Sequence, residues 1–382
     1  MNREPTRVAL VRCEGYERGA VGEAVGRGLD LLGGVKRFVR PGETILLKPN
    51  LLAPRGPERA VCTHPSVFAA VAERLSAAGA VLSYGDSPGF AGMEFVARRA
   101  GIAEVARELG VAPADFSRGE TVSFPDGRLI KRFTLARGAL EAAGIVSLPK
   151  LKTHGLTRMT GAVKNLFGCI PGALKAEFHA RLSNADLFAQ MLVDLGRYLR
   201  PRLHVMDAIV AMEGNGPSSG EPRPMNVLLF SSDPVALDAT ACRLVGLDPR
   251  LVPTVRYGES FGLGCAEGID LVGDPLESFV VAGFQANRER RPTTEGPGRV
   301  SRLARRIVVP KPVIVAERCT RCGTCVAICP VSPKAVDFDD PARTRPPVHH
   351  YERCIRCYCC QEMCPEGAIR IEVPLLGRLL HR

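Results

Sequence analysis

An α/β fold is predicted for most of this chain, with an open, mostly parallel sheet, flanking helices and a small β insertion, followed by a cysteine-rich α+β module near the end. Three observations predict it. Apolar strand-like runs alternate with helix-like stretches and end in polar loops, the grammar of an open α/β sheet. Eight cysteines between Cys319 and Pro365 fall into two copies of one spacing. At 382 residues the chain exceeds one ordinary domain, and length alone suggests two or three.

Taken in order, residues 8–11 form a short apolar run ahead of a glycine-punctuated helix over 21–32. Residues 44–48 (TILLK) read as a buried strand that ends in Pro49-Asn50. A helix over 64–78 follows, with Thr63 as its expected cap and Pro65 in its first turn. The strand at 80–84 runs directly into Gly85-Asp86-Ser87-Pro88-Gly89. Residues 111–135, with their Pro125-Asp126-Gly127 turn, read as a β-hairpin insertion. The strand at 145–148 delivers Pro149-Lys150-Leu151-Lys152-Thr153-His154, and residues 161–169 form a short helix or turn rich in small side chains. An amphipathic helix over 184–199, strands at 203–210 and 227–230, and a helix over 233–245 capped by Asp233 complete this part. The polar stretch 283–298 marks a linker or excursion. Small strands are expected at 313–315 and 336–338.

Each cysteine run reads C-x2-C-x2-C-x3-C-P, the bacterial ferredoxin spacing, in which three thiolates wrap one cubane and the fourth, carried off before proline, serves the other. Cluster I is therefore assigned to Cys319, Cys322, Cys325 and Cys364, and cluster II to Cys354, Cys357, Cys360 and Cys329. The expected cofactors are two 4Fe-4S clusters held by a C-terminal ferredoxin-like α+β module, with a further flavin or metal left open. Zinc is disfavoured because a third cysteine at this spacing is hard to use in one tetrahedron. The opening Met1-Asn2-Arg3-Glu4-Pro5 does not read as a secretory signal, so disulfides are not expected and a cytoplasmic location is. Cys359 adjoins a ligand and reads as a buried bystander.

The expected division is an α/β domain with a substrate site over 1–300, a basic linker over 301–312, the two-cluster domain over 313–373 and a docking tail over 374–382. Apolar residues make up 46% of the chain and charged ones 24%, enough for a sizeable soluble core. No apolar run approaches the ~18 residues of a membrane span. A formal charge of +11 would suit nucleic acid, but cluster charges reduce it, and with no tryptophan and few aromatics no stacking platform is predicted. The arginines between Arg288 and Arg306 read as a solvated linker or as a docking surface for an acidic partner.

Ligands of open α/β sheets bind beyond the carboxyl ends of strands, and four polar groups fall there. They are Lys48 with Asn50, Asp86 with Ser87, Lys150 through His154, and Asp207 with Glu213 and Asn215 beyond; Lys164-Asn165 follow on the small-residue turn. Each has a bland reading as a cap, a solvated lysine or a satisfied histidine, and their coincidence at one sheet edge is what favours a site. Neither G-x-G-x-x-G after a strand nor G-x-x-x-x-G-K-[ST] occurs. Lys48, Lys150, Lys152 and Lys164 are suited to an anionic substrate. In this reading Lys48, Asn50, Ser87, Lys150, Lys164 and Asn165 bind substrate, while His154, Lys152 and Asp86 are the catalytic candidates. Cys242 reads as core, and Cys169 is the best candidate among the remaining cysteines for a reactive thiol.

The stretches LLKPNLL, THPSVFAAVAERL, GDSPG, LPKLKTHGLTRMTGAVKNLFG, SSDPVALDATA and CIRCYCCQEMCP resemble the family known as domain of unknown function number 362, in its version with a fused ferredoxin module. The resemblance covers nearly the whole chain and implies a cytoplasmic iron-sulfur protein, described as an oxidoreductase or electron carrier without a settled substrate. A fainter likeness, confined to the strand-end Lys and Asp loops and a histidine after a lysine, is to the nickel-pincer lactate racemase family, and no nickel assignment follows from it. The expected function is an oxidoreductase passing single electrons from the clusters to a small, anionic substrate. The rival is an electron-transfer or assembly adaptor that docks on a partner protein and does no substrate chemistry.

Overall fold

The protein is described by a computed structural model, covering residues 5–89, 91–182, 184–289 and 309–374. Among the described residues, twelve strands precede the cysteine-rich module: β1 Arg7–Arg12, β2 Thr44–Pro49, β3 Val81–Tyr84, β4 Ala112–Pro113, β5 Gly119–Ser123, β6 Arg132–Ala136, β7 Gly144–Leu148, β8 Lys150–His154, β9 Arg158–Thr160, β10 Leu203–Glu213, β11 Glu221–Ser231 and β12 Asp270–Gly273. Ten of them form one sheet in the order β12-β1-β11-β10-β7-β2-β3-β4, with β8 and β9 continuing beside β10. From β4 to β10 all neighbours run parallel, whereas β11 is antiparallel to both β10 and β1. β5 and β6 pair only with each other, which makes them the expected hairpin insertion.

The two-residue period of a strand sends alternate side chains to opposite faces, and both faces here are apolar. Ala9 and Val11 of β1, Leu203 and Val205 of β10, and Leu228 and Phe230 of β11 enter one core under the helices Arg18–Leu31 and Pro65–Ala77. Val8, Leu10, Met206, Val227 and Leu229 enter the other, under the helices Ala185–Leu199 and Pro234–Leu244. Gly28 lets the first helix lie against the sheet, since a Cβ there would collide with the Phe230 ring.

One of the two predicted caps forms, and a cap that was not predicted forms at Asn184. Asp233 accepts from the amides of Val235 and Ala236 at 2.8 and 2.9 Å, and Asn184 accepts from Asp186 N at 2.7 Å. Thr63 is not a cap. Its hydroxyl donates to Leu148 O at 2.6 Å and accepts from Asn50 N at 2.8 Å, tying two strand ends together, and the His64 imidazole caps the helix instead.

In the C-terminal module β13 Lys311–Ile314 pairs antiparallel with β16 Ile369–Glu372, and β14 Val336–Asp337 with β15 Val348–His349. Strand β13 begins inside the stretch assigned to the linker; residues 301–308 of that stretch and 375–382 of the tail lie outside the described residues. The module packs on the large sheet through the loop after β10. Gln361 Nε2 donates to Asn215 Oδ1 at 2.9 Å, Asn215 Nδ2 donates to Ile369 O at 3.0 Å, and Ser218 Oγ donates to Glu362 O. Tyr358 is buried in the core of the larger part. No helix among the described residues is long and apolar enough to cross a membrane.

Candidate functional site

Strand β8 places Lys150, Lys152 and His154 on a single face because they are two residues apart, and each meets a different partner. Lys150 lies opposite Asp207 in the parallel β8/β10 register. Its ammonium is 2.8 Å from Asp207 Oδ2 and donates to the Tyr16 hydroxyl at 2.8 Å. Tyr16 in turn donates to Asp207 Oδ1 at 2.9 Å and stacks on the His64 ring at 3.5 Å. Burial pushes the Lys150 ammonium down and Asp207 pulls it back up. Both charged residues of this group are almost fully buried.

Lys48, at the end of β2, projects to the opposite face, since Ile45 and Leu47 occupy the first. There it meets Asp86 from the loop after β3, Nζ to Oδ1 at 2.9 Å. Asp86 is further held by the amides of Leu51 at 2.6 Å and Ser87 at 2.8 Å. Gly168 packs against this pair so closely that a Cβ would displace the carboxylate and lie 2.8 Å from Lys48 Nζ. Two amides connect the faces around the end of β2. Lys48 donates to Asn165 Oδ1 at 3.1 Å, Asn50 Nδ2 donates to the same oxygen at 3.2 Å, and Lys152 donates to Asn50 Oδ1 at 2.8 Å. Lys152 is fully enclosed, and burial lowers it to about 7, so it exchanges its proton near neutrality.

Beside this edge lies a cavity of about 1110 Å³. Asn50, Asp86, Ser87, Lys164 and Asn165 of the predicted residues line it, whereas Lys48, Lys150, Lys152 and His154 do not. Among the polar lining residues that sequence reasoning did not select, Lys175, His179 and Glu362 are buried. Lys175 and His179 are four residues apart on the helix Gly172–Arg181 and so share a face, a spacing that was available as a signal. Lys175 donates to the carbonyls of Ser87 and Pro88, and burial lowers it to about 8. His179 lies stacked on Phe188 at 4.5 Å, and its Nδ1 has no partner.

The far wall comes from the cysteine-rich module: Ile328, Cys359, Glu362 and Met363. Met363 packs on the strand-end loop, where a Cβ on Gly89 would lie 2.7 Å from its sulfur. Glu362 Oε2 is 3.5 Å from His154 Nε2. The tautomer follows from the other ring nitrogen: His154 Nδ1 accepts from Leu156 N at 2.9 Å and Thr157 N at 3.2 Å, which leaves the proton on Nε2 facing Glu362. Burial lowers His154 to about 4. Burial would raise Glu362, but the charge of Lys164, helped by His154 and His179, holds its carboxyl well below the ordinary range. Cys169 is enclosed beneath the pair, and burial pushes its thiol up to about 12. That corrects the expectation of a reactive thiol, since the thiolate is the nucleophile.

Within the module two small voids gather the cysteines. One is lined by Cys319, Cys322, Cys325 and Cys364, the other by Cys329, Cys354, Cys357 and Cys360. The fourth cysteine of each run stands with the first three of the other run, and all eight are free thiols. Ala335 N and Ala368 N point at the sulfurs of Cys329 and Cys364, at 3.4 and 3.2 Å. Four sulfurs around one void, with amides aimed at them, form a donor set that fits a thiolate-ligated cubane. The quartets differ in exposure: Cys322 of the first is exposed, whereas the second has three buried members and one partly buried. Cys359 is buried, belongs to neither quartet and reaches the cavity wall.

A family model described as "Domain of unknown function (DUF362)" matches residues 45–243. A second, described as "4Fe-4S dicluster domain", matches residues 318–368. The thylakoid-associated protein sll1697 of Synechocystis sp. is 38% identical over 257 residues, 67% of this chain and 79% of that protein. Two solved structures also match, both with a TM-score of 0.38. The lactate racemase apoprotein from Thermoanaerobacterium thermosaccharolyticum is 14% identical, with 62% of this chain and 56% of that one covered. A Thermotoga maritima protein is 12% identical, with 61% and 60% covered. This chain therefore spans less than two thirds of either solved structure.

Proposed function

The chain belongs to the DUF362 family and carries a 4Fe-4S dicluster domain, and on that premise we propose that it is an oxidoreductase acting on an anionic molecule bound in the cavity. One observation carries the reading: the cavity has strand-end polar groups on one wall and, on the other, the short helix Cys359–Glu362 that bears Cys360. Clusters bound at the two quartets supply single-electron transfer. The cavity residues supply binding, orientation and protons. Lys164 and Lys175 attract the anion, Asn50, Ser87 and Asn165 offer hydrogen bonds, and the Lys48–Asp86 pair fixes the strand-end loops. Lys152 holds a proton near neutrality behind Asn50, and His154 directs its Nε2–H toward Glu362. Lys150, engaged by Asp207 and Tyr16, is a positioning residue in this reading. Residues 1–300 and 313–373 act as the substrate-binding and cluster-bearing units, and the location is cytoplasmic.

The first test is composition. Anaerobically prepared protein is expected to hold about eight irons and eight sulfides, and Cys364→Ala to lose about half the iron although its quartet partners lie far away in sequence. The second follows dithionite-reduced protein by its visible absorbance after addition of a low-mass cell extract. Reoxidation is expected from an anionic fraction, slowed at least about ten-fold in His154→Ala and Lys164→Met at unchanged iron content; one tenfold corresponds to ~1.4 kcal/mol of transition-state stabilisation. Equal rates in these variants would remove the enzyme reading and leave the adaptor, which docks on a partner and has no substrate.

A further inference from the structure

The cavity is too large and too apolar for the small anion that the strand-end lysines alone would suggest. Sites for drug-sized ligands span roughly 300–1,000 Å³, and this one encloses about 1110 Å³. A three-carbon acid or an inorganic anion would leave most of it unfilled. Lys164, Lys175, His179 and Glu362 form a polar group close enough to act on one another electrostatically. Leu52, Ala91, Met93, Ala114 and Phe116 give the cavity an apolar lining that packs against the two apolar cores beneath the strand-end loops.

Charge around this polar group is nearly, but not fully, balanced. Lys48 is neutralised by Asp86. At the mouth, Arg118 is paired with Asp115 and Glu94 with Arg98. The ammonium groups of Lys164 and Lys175 both act on the Glu362 carboxylate, and Lys175 also on Asp86, which Lys48 already neutralises. Lys175 is further held by two carbonyls, whereas no hydrogen-bond acceptor among the described residues is paired with the Lys164 ammonium. One face of the His179 ring is stacked on Phe188 and Phe167 meets the ring at a right angle, while its Nδ1 has no partner among the described residues. One uncompensated positive charge and an imidazole nitrogen suit one carboxylate better than a polyphosphate, whose further negative charges would be left unpaired in the cavity.

We propose that the ligand of this cavity is an organic monocarboxylate with an extended apolar body, its carboxylate at Lys164 and His179 and its body along Met93 and Phe116. The proposal rests on the reading of the cavity as the substrate site and specifies its chemical class. Binding of the cluster-loaded full chain is measured anaerobically by calorimetry with four probes: 2-naphthoate, 2-naphthamide, acetate and inorganic phosphate. The acid is expected to bind at least ten-fold more tightly than the amide, which keeps the body without the charge, and than acetate or phosphate, which keep charge without the body. Lys164→Met is expected to lose at least ten-fold for the acid while the amide is unaffected. An amide that binds as well as the acid, or acetate or phosphate binding as tightly as naphthoate, would overturn it on the wild-type protein alone, whatever the variant does. No turnover enters the measurement, so naphthoate binding without any reoxidising acceptor would sink the redox reading and leave this one standing.

Discussion

Two buried lysine–aspartate pairs sit on opposite faces of the same sheet edge, and their fates differ. Lys48–Asp86 and Lys150–Asp207 have nearly the same separation, 2.9 and 2.8 Å, and the same burial. Around Lys150 the Tyr16 hydroxyl and the amide of His64 complete the shell, and neither Lys150 nor Asp207 lines the cavity. Around Lys48 the shell is completed by Asn165 and by the glycine backbone at 168, and Asp86 forms part of a cavity wall. A strand-end lysine thus has the same chemistry in both places, and what lies beside its carboxylate partner decides between scaffold and site.

The largest expected effect tests whether the pairs are energetically alike but functionally distinct. Lys150→Met and Lys48→Met should each cost about 3–5 kcal/mol, because each strands a buried carboxylate, read from anaerobic denaturation. Only Lys48→Met should also weaken naphthoate binding; if Lys150→Met weakens it equally, the contrast fails. Gly168→Ala sharpens it by pushing on one pair alone. Overpacking of about 1–3 kcal/mol is expected, with cavity binding reduced and the Tyr16 fluorescence environment unchanged.

A pH profile separates Lys152 from both pairs. Its proton is lost at about 7 in the folded protein but only near ~10.4 in the unfolded chain. Between those values the unfolded state binds the extra proton, so the group penalises folding less as pH rises. The stability of the wild type minus that of Lys152→Met should therefore climb by about 1.4 kcal/mol per pH unit over that window, and a flat difference would show that the ammonium stays charged. The smallest effect belongs to Tyr16→Phe, which removes one hydroxyl from the closed pair. About 1 kcal/mol of stability should go, with ligand affinity untouched.

The chain's local grammar made much of this legible. Alternation on β1, β10 and β11 required two apolar faces, and strand ends located Lys48, Asn50, Asp86 and Ser87 because loops at carboxyl ends are where such sheets leave room. The proline after each fourth cysteine turned the chain away from its own run, which is why the crossed quartets could be written down from spacing. Thr63 was misplaced because its hydroxyl finds Leu148 O and Asn50 N, contacts no local pattern encodes, leaving His64 to cap the helix.

Sequence by itself determined the class of the fold, the grouping of the eight cysteines and the list of charged residues at the sheet edge, since each depends on spacings of a few residues. Tertiary structure alone decided which of those charges face a cavity. Lys150 and Lys152 differ by two positions on one strand, yet one is sealed by Asp207 and the other reaches Asn50, because their partners arrive from elements far away in the chain. Glu362 was not singled out in the sequence; it becomes part of the site because Gln361 and Ser218 dock the module against the loop after β10, bringing the carboxylate to His154. Long-range packing sets that docking, and no local spacing contains it.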